Sequence, residues 1–524
     1  MPRPRLLILL AAFAAPLAAQ EPHAQVALPH RRATLLDGAG RLHFRITTEV
    51  PLAQTYFDQG LALLHLGEVL EAQRSFREVT ILDPESPMGF WGLALAAGLE
   101  HADSIDFARQ ALQRIAHADD RERSSVELVA QHLGVEGVGH AMGDAVEHGT
   151  EAARIRLQRH LAGLAMLHPE ELEMRALILR EWAAAGTVSV ERAGQIAQWF
   201  AAAFGAETTH PALCHLIRCT PGEAIDEDRV RDAWRLCTSA PRSGRAWDAA
   251  GQLMLRAGRH EDAALLLDAA LRADHAALAR TSGAPHDLDG YLATVAARCR
   301  SLIALRRTAA AAELAEAALR LPRHPTPRDR SAAAALVELE ALGERAARTP
   351  SPEVEAGGAR GAATGGHGVD LESIGPSRWQ PRAAPPLRRP RGGGGGEIAL
   401  ADLDGEPVLV VFFLGFGCVH CVEQLRELAP RTAAFRAAGI RVLAVGTDPV
   451  EAVGQALDGD PLPFPVLCDP GAEAFRQWSC WDEFDDVPLH GTFLLDGRHQ
   501  LLWQDIGAEP FLDLDFLLGE ATRR

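Results

Sequence analysis

Lysine and asparagine are both absent from this 524-residue chain, so every one of its 52 Lys/Arg side chains is an arginine. A P-loop lysine, a Schiff-base lysine and a kinase-type catalytic lysine are therefore excluded, and with them whole classes of enzyme. Positive charge is scarce as well. With 70 acidic residues the formal net charge is −18, and neutralising phosphates requires a concentrated basic face, so nucleic-acid partners are excluded. Beyond the N-terminus no stretch reaches about 18 apolar residues without a charge, and no membrane span is expected. Cysteine is limited to eight positions: 214, 219, 237, 299, 418, 421, 468 and 480. Their spacing is not that of a small disulfide scaffold, and only Cys418 and Cys421 form a motif.

The chain is too long for one ordinary core, and its 47% apolar content is enough for two or three domains. Arg3 and Arg5 precede an apolar run from Leu6 to Ala15, and Pro16 to Ala19 close it with small residues. This is the pattern of a secretory signal, too short to remain as a membrane helix. Cleavage is expected after Ala19, making the mature protein periplasmic or secreted. Residues 20–44 form a lead-in.

From 45 to 348, alanine and leucine recur at three-and-four spacing, which predicts helix after helix. Within Ala53–Ser86, Tyr56, Gly60, Leu63, Ala72, Phe76 and Asp83-Pro84 stand at the offsets of a 34-residue repeat. Trp247, Gly251, Met254, Gly258, Ala263, Leu267 and Ala270 repeat those offsets from Gly244, and a weaker third copy covers 292–325, with Cys299 in the small-residue place. The region resembles bacterial tetratricopeptide-repeat proteins. That resemblance implies stacked helical hairpins whose concave face binds a protein ligand. Residues 349–396, rich in Gly, Pro and Arg with five glycines at 392–396, read as a linker.

At Glu397 the pattern changes to strands. Pro407–Leu414 is an unbroken apolar run suited to a central strand covered on both faces. A helix follows from Cys418, with Pro430 as a candidate kink. Then come a strand at Ile440–Val445, a helix near Val450–Leu457, a strand at Phe464–Leu467, a helix near 471–478, a hairpin of Thr492–Leu495 with Gln500–Trp503, and a last helix from Phe511. The fold class expected is multidomain: an all-α tetratricopeptide-type array followed by an α/β thioredoxin-like domain over 397–524.

Two cysteines separated by two residues at a strand-to-helix junction are placed for reversible disulfide formation, because one helical turn brings the sulfurs together. Cys418 meets the unpaired N–H groups at the helix start, which stabilise a thiolate, and is the expected nucleophile. Cys421 is the expected resolving thiol, and His420 beside them adds positive charge when protonated. A zinc site would need two further ligands; no second CxxC or HxxxH lies nearby, so neither metal nor cofactor is called for.

The stretch Val408–Leu425 resembles bacterial redoxin domains of the alkyl hydroperoxide reductase/thiol-specific antioxidant family, and Pro488–Asp496 with Trp503–Gly507 extends the likeness to the chain end. The resemblance implies thiol-dependent reduction of a peroxide or of a protein disulfide. Peroxiredoxins carry Thr or Ser three residues before the peroxidatic cysteine, where this chain has Gly415. Before the strand at Thr492 they carry arginine and thioredoxins cis-proline, where this chain has His490. Both losses weaken the peroxidase reading; the chain matches neither subfamily completely, but its two retained cysteines favour disulfide exchange, and a histidine at 490 would hydrogen-bond the Cys418 thiolate.

The expectation is therefore an extracytoplasmic thiol–disulfide oxidoreductase acting on a protein dithiol or disulfide partner through Cys418, Cys421, His420 and His490. A thiol peroxidase and a non-catalytic scaffold are the alternatives. Outside the motif, His210, Cys214, His215 and Cys219 invite a metal reading but suit buried packing better. Cys468 and Cys480 are core thiols or a second redox pair.

Overall fold

The computed structural model describes residues 30–99, 102–135, 151–184, 186–281, 283–288, 290–325, 331–349 and 369–523. The expected secretory segment, 1–19, lies outside them, as do residues 350–368 of the expected linker.

The first region is helical, as its spacing predicts. Helix Pro51–Leu66 starts on a proline, whose missing N–H is harmless in the first turn, and it closes where Gly67 N–H bonds the Leu63 and Leu64 carbonyls. Helix Val69–Leu82 returns against it. Hairpins also form from Gly244–Arg256 with His260–Thr281 and from Tyr291–Ala304 with Thr308–Leu319, the three places where the repeat offsets fall. The small-residue positions are where paired helices touch. A side chain at Gly60 would overlap the Phe76 ring and one at Gly251 would overlap Leu267, while the Cys299 thiol donates to the Ala311 carbonyl at 3.6 Å. The array also curls back on itself: Glu68, in the first turn, accepts from Ser243 Oγ (2.7 Å) and Arg245 N (3.1 Å).

The second region is built on a five-stranded sheet. Its strands are β1 (Val408–Phe413), β2 (Arg441–Gly446), β3 (Val466–Cys468), β4 (His490–Leu495) and β5 (Leu501–Gly507), in the order β3-β2-β1-β4-β5. β1, β2 and β3 are parallel, and β4 and β5 are antiparallel. β1 is buried along its whole length. Leu409, Val411 and Phe413 face Leu425, Leu428 and Leu517, while Val408, Val410 and Phe412 face Phe475, Trp478 and Phe493. Two apolar faces on one strand explain the unbroken hydrophobic run. Helix Val419–Ala437 follows β1 and continues through Pro430 without stopping. This is a thioredoxin-like arrangement.

The boundary of this region differs from the expected 397. Residues Arg388–Pro390 pair antiparallel with Glu397–Ala399, and the five glycines form the reversal between them, with Arg391 N donating to Gly396 O at 2.9 Å. Gly393 to Gly396 all have positive φ, from 75° to 102°, which explains the glycine run. Further back, Leu501 N bonds Arg382 O and Ala384 N bonds His499 O. The segment from 382 thus belongs to the α/β region. Composition suggested a linker, but backbone pairing with the sheet edge supplies the order that side-chain burial does not.

The two regions are docked on each other. The Phe484 ring lies under two guanidinium groups, with Arg77 4.4 Å and Arg32 5.6 Å from its centroid, and Arg77 also pairs with Asp482 (3.1 Å) and Asp485 (2.6 Å). Trp503 Nε1 donates to the Arg323 carbonyl at 2.7 Å. Replacing Phe484 with alanine should lower stability by roughly 1–2 kcal/mol through lost cation–π contact and burial. Urea unfolding of the full chain checks this, and an unchanged midpoint would mean that the docking is not made in solution.

Candidate functional site

β1 delivers the chain from the core to the rim of the sheet, where residues 414–417 turn into the helix. Three interactions hold that turn: Phe416 N donates to Asp448 Oδ2 (2.7 Å), Thr447 Oγ1 donates to Leu414 O (2.6 Å), and Cys418 N donates to Gly415 O (3.1 Å). Gly415 sits at φ +125°, and a Cβ there would lie 3.0 Å from the Asp448 carboxylate. A side chain at this position is strained and crowded, so the turn has no place for the Thr or Ser hydroxyl of peroxiredoxins.

Cys418 is the N-cap of the helix, with extended backbone (φ −91°, ψ 116°), and its sulfur accepts the Cys421 N–H at 3.3 Å. It is half-buried, whereas Cys421, one turn inward, is fully buried with its sulfur accepting Leu414 N–H at 3.2 Å. Burial pushes the Cys421 thiol up to about 12, with the neighbouring Cys418 sulfur adding to the effect.

His490 opens β4 and completes the group. Its Nδ1 lies 2.8 Å from the Ala508 carbonyl oxygen, which can only accept, so Nδ1 carries the hydrogen. Burial lowers its pKa below the ordinary histidine value, against a weaker opposing effect of the Ala508 bond. The neutral ring therefore presents the Nε2 lone pair to the sulfurs, 3.1 Å from Cys421 Sγ and 4.0 Å from Cys418 Sγ. This corrects the expectation for His490: its near partner is Cys421, and it accepts the thiol hydrogen instead of donating to a Cys418 thiolate. The reason is depth, since Cys421 lies at the level of the sheet and Cys418 at the rim.

The structure brings Cys418, Cys421 and His490 together but not His420. That residue lies on the exposed side of the helix, its Nδ1 3.2 Å from Glu509 Oε2, both side chains largely in solvent. Such a pair contributes little. Cys468 and Cys480 are buried on opposite faces of the sheet, so they do not form a second redox pair.

Nor does the 210–219 group converge as a metal site. His210 bonds Glu173 (2.9 Å) and His215 bonds His65 (3.0 Å), while Cys214 and Cys219 donate to backbone carbonyls. His65 completes the chain to Glu173 at 2.7 Å. Asp448, which holds the active turn, went unrecognised in the sequence. Its signal was the Thr447-Asp448-Pro449 step after a parallel strand, at the carboxyl end of the sheet where sites of α/β folds gather.

Residues 382–504 match the AhpC/TSA family. A Mycobacterium tuberculosis protein named as a peroxiredoxin is 29% identical over 89 residues, 17% of this chain and 57% of that protein. The chloroplastic peroxiredoxin Q of Gentiana triflora is 26% identical over 114 residues, 21% of this chain and 52% of its own. The chain thus spans about half the length of the curated relatives it matches. Among solved structures, peroxiredoxin Q of Xanthomonas campestris aligns with 26% of this chain and 89% of its own length, at 18% identity and a TM-score of 0.24.

The contrast between the two sulfurs is testable. Brief iodoacetamide treatment of the reduced, folded chain near neutral pH should alkylate Cys418 and leave Cys421, Cys468 and Cys480 unlabelled, because alkylation requires an accessible thiolate. Peptide mass mapping reads the result, and equal labelling of Cys418 and Cys421 would contradict the geometry.

Proposed function

Residues 382–504 are an AhpC/TSA redoxin domain, and from that premise we propose that the protein is an extracytoplasmic thiol–disulfide oxidoreductase. One observation carries the reading: a buried thiol whose sulfur lies 3.1 Å from a histidine nitrogen that the opposite ring nitrogen keeps unprotonated. Cys418, half-buried at the helix start, attacks a partner disulfide as its thiolate; one partner sulfur leaves as a thiolate, and a mixed disulfide forms. Cys421 then passes its proton to His490 Nε2 and attacks Cys418 Sγ. The mixed disulfide breaks, and the second partner sulfur leaves with the proton. The Cys418–Cys421 pair loses two electrons, and the partner gains them. Burial holds the Cys421 thiol above its ordinary range, so the second step is served by the base that His490 supplies.

Three hairpins with tetratricopeptide spacing support a protein ligand on the helical array, and the Leu6–Ala15 run supports export. The names of the relatives favour a second reading, peroxide reduction at Cys418. Gly415, with no hydroxyl to polarise a peroxide and no room for one, disfavours it.

Reduced full-length protein should reduce insulin disulfides and consume hydroperoxide slowly at best; the reverse preference would establish the peroxidase instead. In His490→Ala, resolution of a glutathione adduct on Cys418 should slow by roughly 10²-fold or more, the usual worth of a positioned base. Mass spectrometry would then show the adduct accumulating. In the parent protein, acid protonates Nε2 and removes the base, so resolution should fall as pH drops through the His490 value, below about 6.5. A resolution rate that does not fall at any acid pH at which the protein stays folded would remove His490 from the step.

A further inference from the structure

The same three side chains have the composition of a soft-metal site. Cys418 Sγ, Cys421 Sγ and His490 Nε2 all lie within 4.8 Å of one another. His490 is 69 residues from Cys421, and the β4 register brings it in. We propose that the reduced dithiol form binds one Cu(I) ion through these three atoms. This goes beyond thiol–disulfide exchange and does not depend on it.

The geometry suits a planar three-coordinate ion. With metal–sulfur bonds of about 2.3 Å and a metal–nitrogen bond of about 2.0 Å, donors in a trigonal plane are separated by about 3.7–4.0 Å. The observed nitrogen-to-sulfur separations of 3.1 and 4.0 Å bracket that spacing, so small side-chain adjustments suffice. The surroundings are also those of a ligand set. The Ala508 carbonyl fixes the His490 tautomer with Nε2 forward, as an outer partner does for a ligating histidine. Leu414 N–H and Cys421 N–H each point at a sulfur, offsetting thiolate charge.

Donor type and number select the ion. Two thiolates and an imidazole are soft donors, which suit Cu(I) and Zn(II) and disfavour Mg(II) or Ca(II). Among the described residues this group stops at three, with His420 turned away toward Glu509, so Zn(II) would have to take its fourth ligand from solvent. Cu(I) is satisfied by three. Binding breaks two S–H bonds, forms two Cu–S bonds and one Cu–N bond, releases two protons and transfers no electron. Disulfide formation removes both sulfur ligands, so copper occupancy and the oxidised state exclude each other.

The test uses the full chain, reduced and anaerobic, titrated with Cu(I) against the chromophoric chelator bicinchoninate. One equivalent should transfer to the protein and none to the oxidised form. His490→Ala should weaken binding at least about tenfold, the lower bound for losing even an outer partner of a metal ligand. X-ray absorption on the unsubstituted protein should find two sulfur neighbours and one nitrogen, which keeps the proposal testable should the variant misfold. Copper left on the chelator, a shell of two sulfurs without nitrogen, or displacement by equimolar Zn(II) would each overturn it. Insulin reduction by the same preparation, measured without copper, is read separately, so failure of one reading is distinguishable from failure of the other.

Discussion

The chemistry of the site depends on one hydrogen bond, from His490 Nδ1–H to the Ala508 carbonyl. A carbonyl cannot donate, so the bond fixes the ring tautomer, and burial keeps the ring neutral. A lone pair then faces two sulfurs of unequal depth. Were the tautomer reversed, Nε2 would carry the hydrogen and could neither take a proton from Cys421 nor ligate a metal. The pairing of His490 with Gly507 in the β4–β5 ladder places that carbonyl, so sheet register is a precondition of reactivity.

The second constraint is the turn at Gly415. It uses a backbone conformation favoured in glycine and stacks that residue against the Asp448 carboxylate, which in turn holds Phe416 N. A peroxiredoxin-type hydroxyl could be restored only by rebuilding the turn. Residues 382–504 match the AhpC/TSA family, while Gly415 stands in the loop against Asp448 with no side-chain hydroxyl. Cys418 is left half-buried at the helix start, its sulfur accepting the Cys421 N–H.

Much of this was legible beforehand. The unbroken run of β1 reports a strand covered on both faces, the CxxC spacing reports two sulfurs one turn apart, and the small residues at Gly60 and Gly251 report touching helices. The departures have physical causes. The glycine run at 392–396 has the composition of a linker, yet its positive φ values serve a reversal whose strands are ordered by backbone pairing, which composition does not encode. His420 adjoins the motif in sequence but projects from the outer face of the helix. Proximity along a helix is not proximity in space when neighbours lie about 100° apart. His490 was found through its place before a strand, but its partner could not be chosen without the relative depths of the two sulfurs. Glu173, which gathers His65 and His210 into one buried network, carried no local signal, because its partners lie 108 and 37 residues away.

The docked loop around Phe484 bears on how the chain is assembled. Glu483 N donates to His30 O, and Arg32 N donates to the Glu483 carboxylate across 451 positions of sequence. During synthesis, the beginning of the described chain must wait for almost all the rest to emerge before this contact can form. The helical hairpins, whose partners are close in sequence, can close early, whereas the junction is a late, high-contact-order event. Until then Arg32 and Arg77 lack the Phe484 ring, although Arg32 can already pair with Glu78. The first described residues are thus held from both sides, by the helical array through Glu78 and Tyr56 and by the α/β region through Glu483.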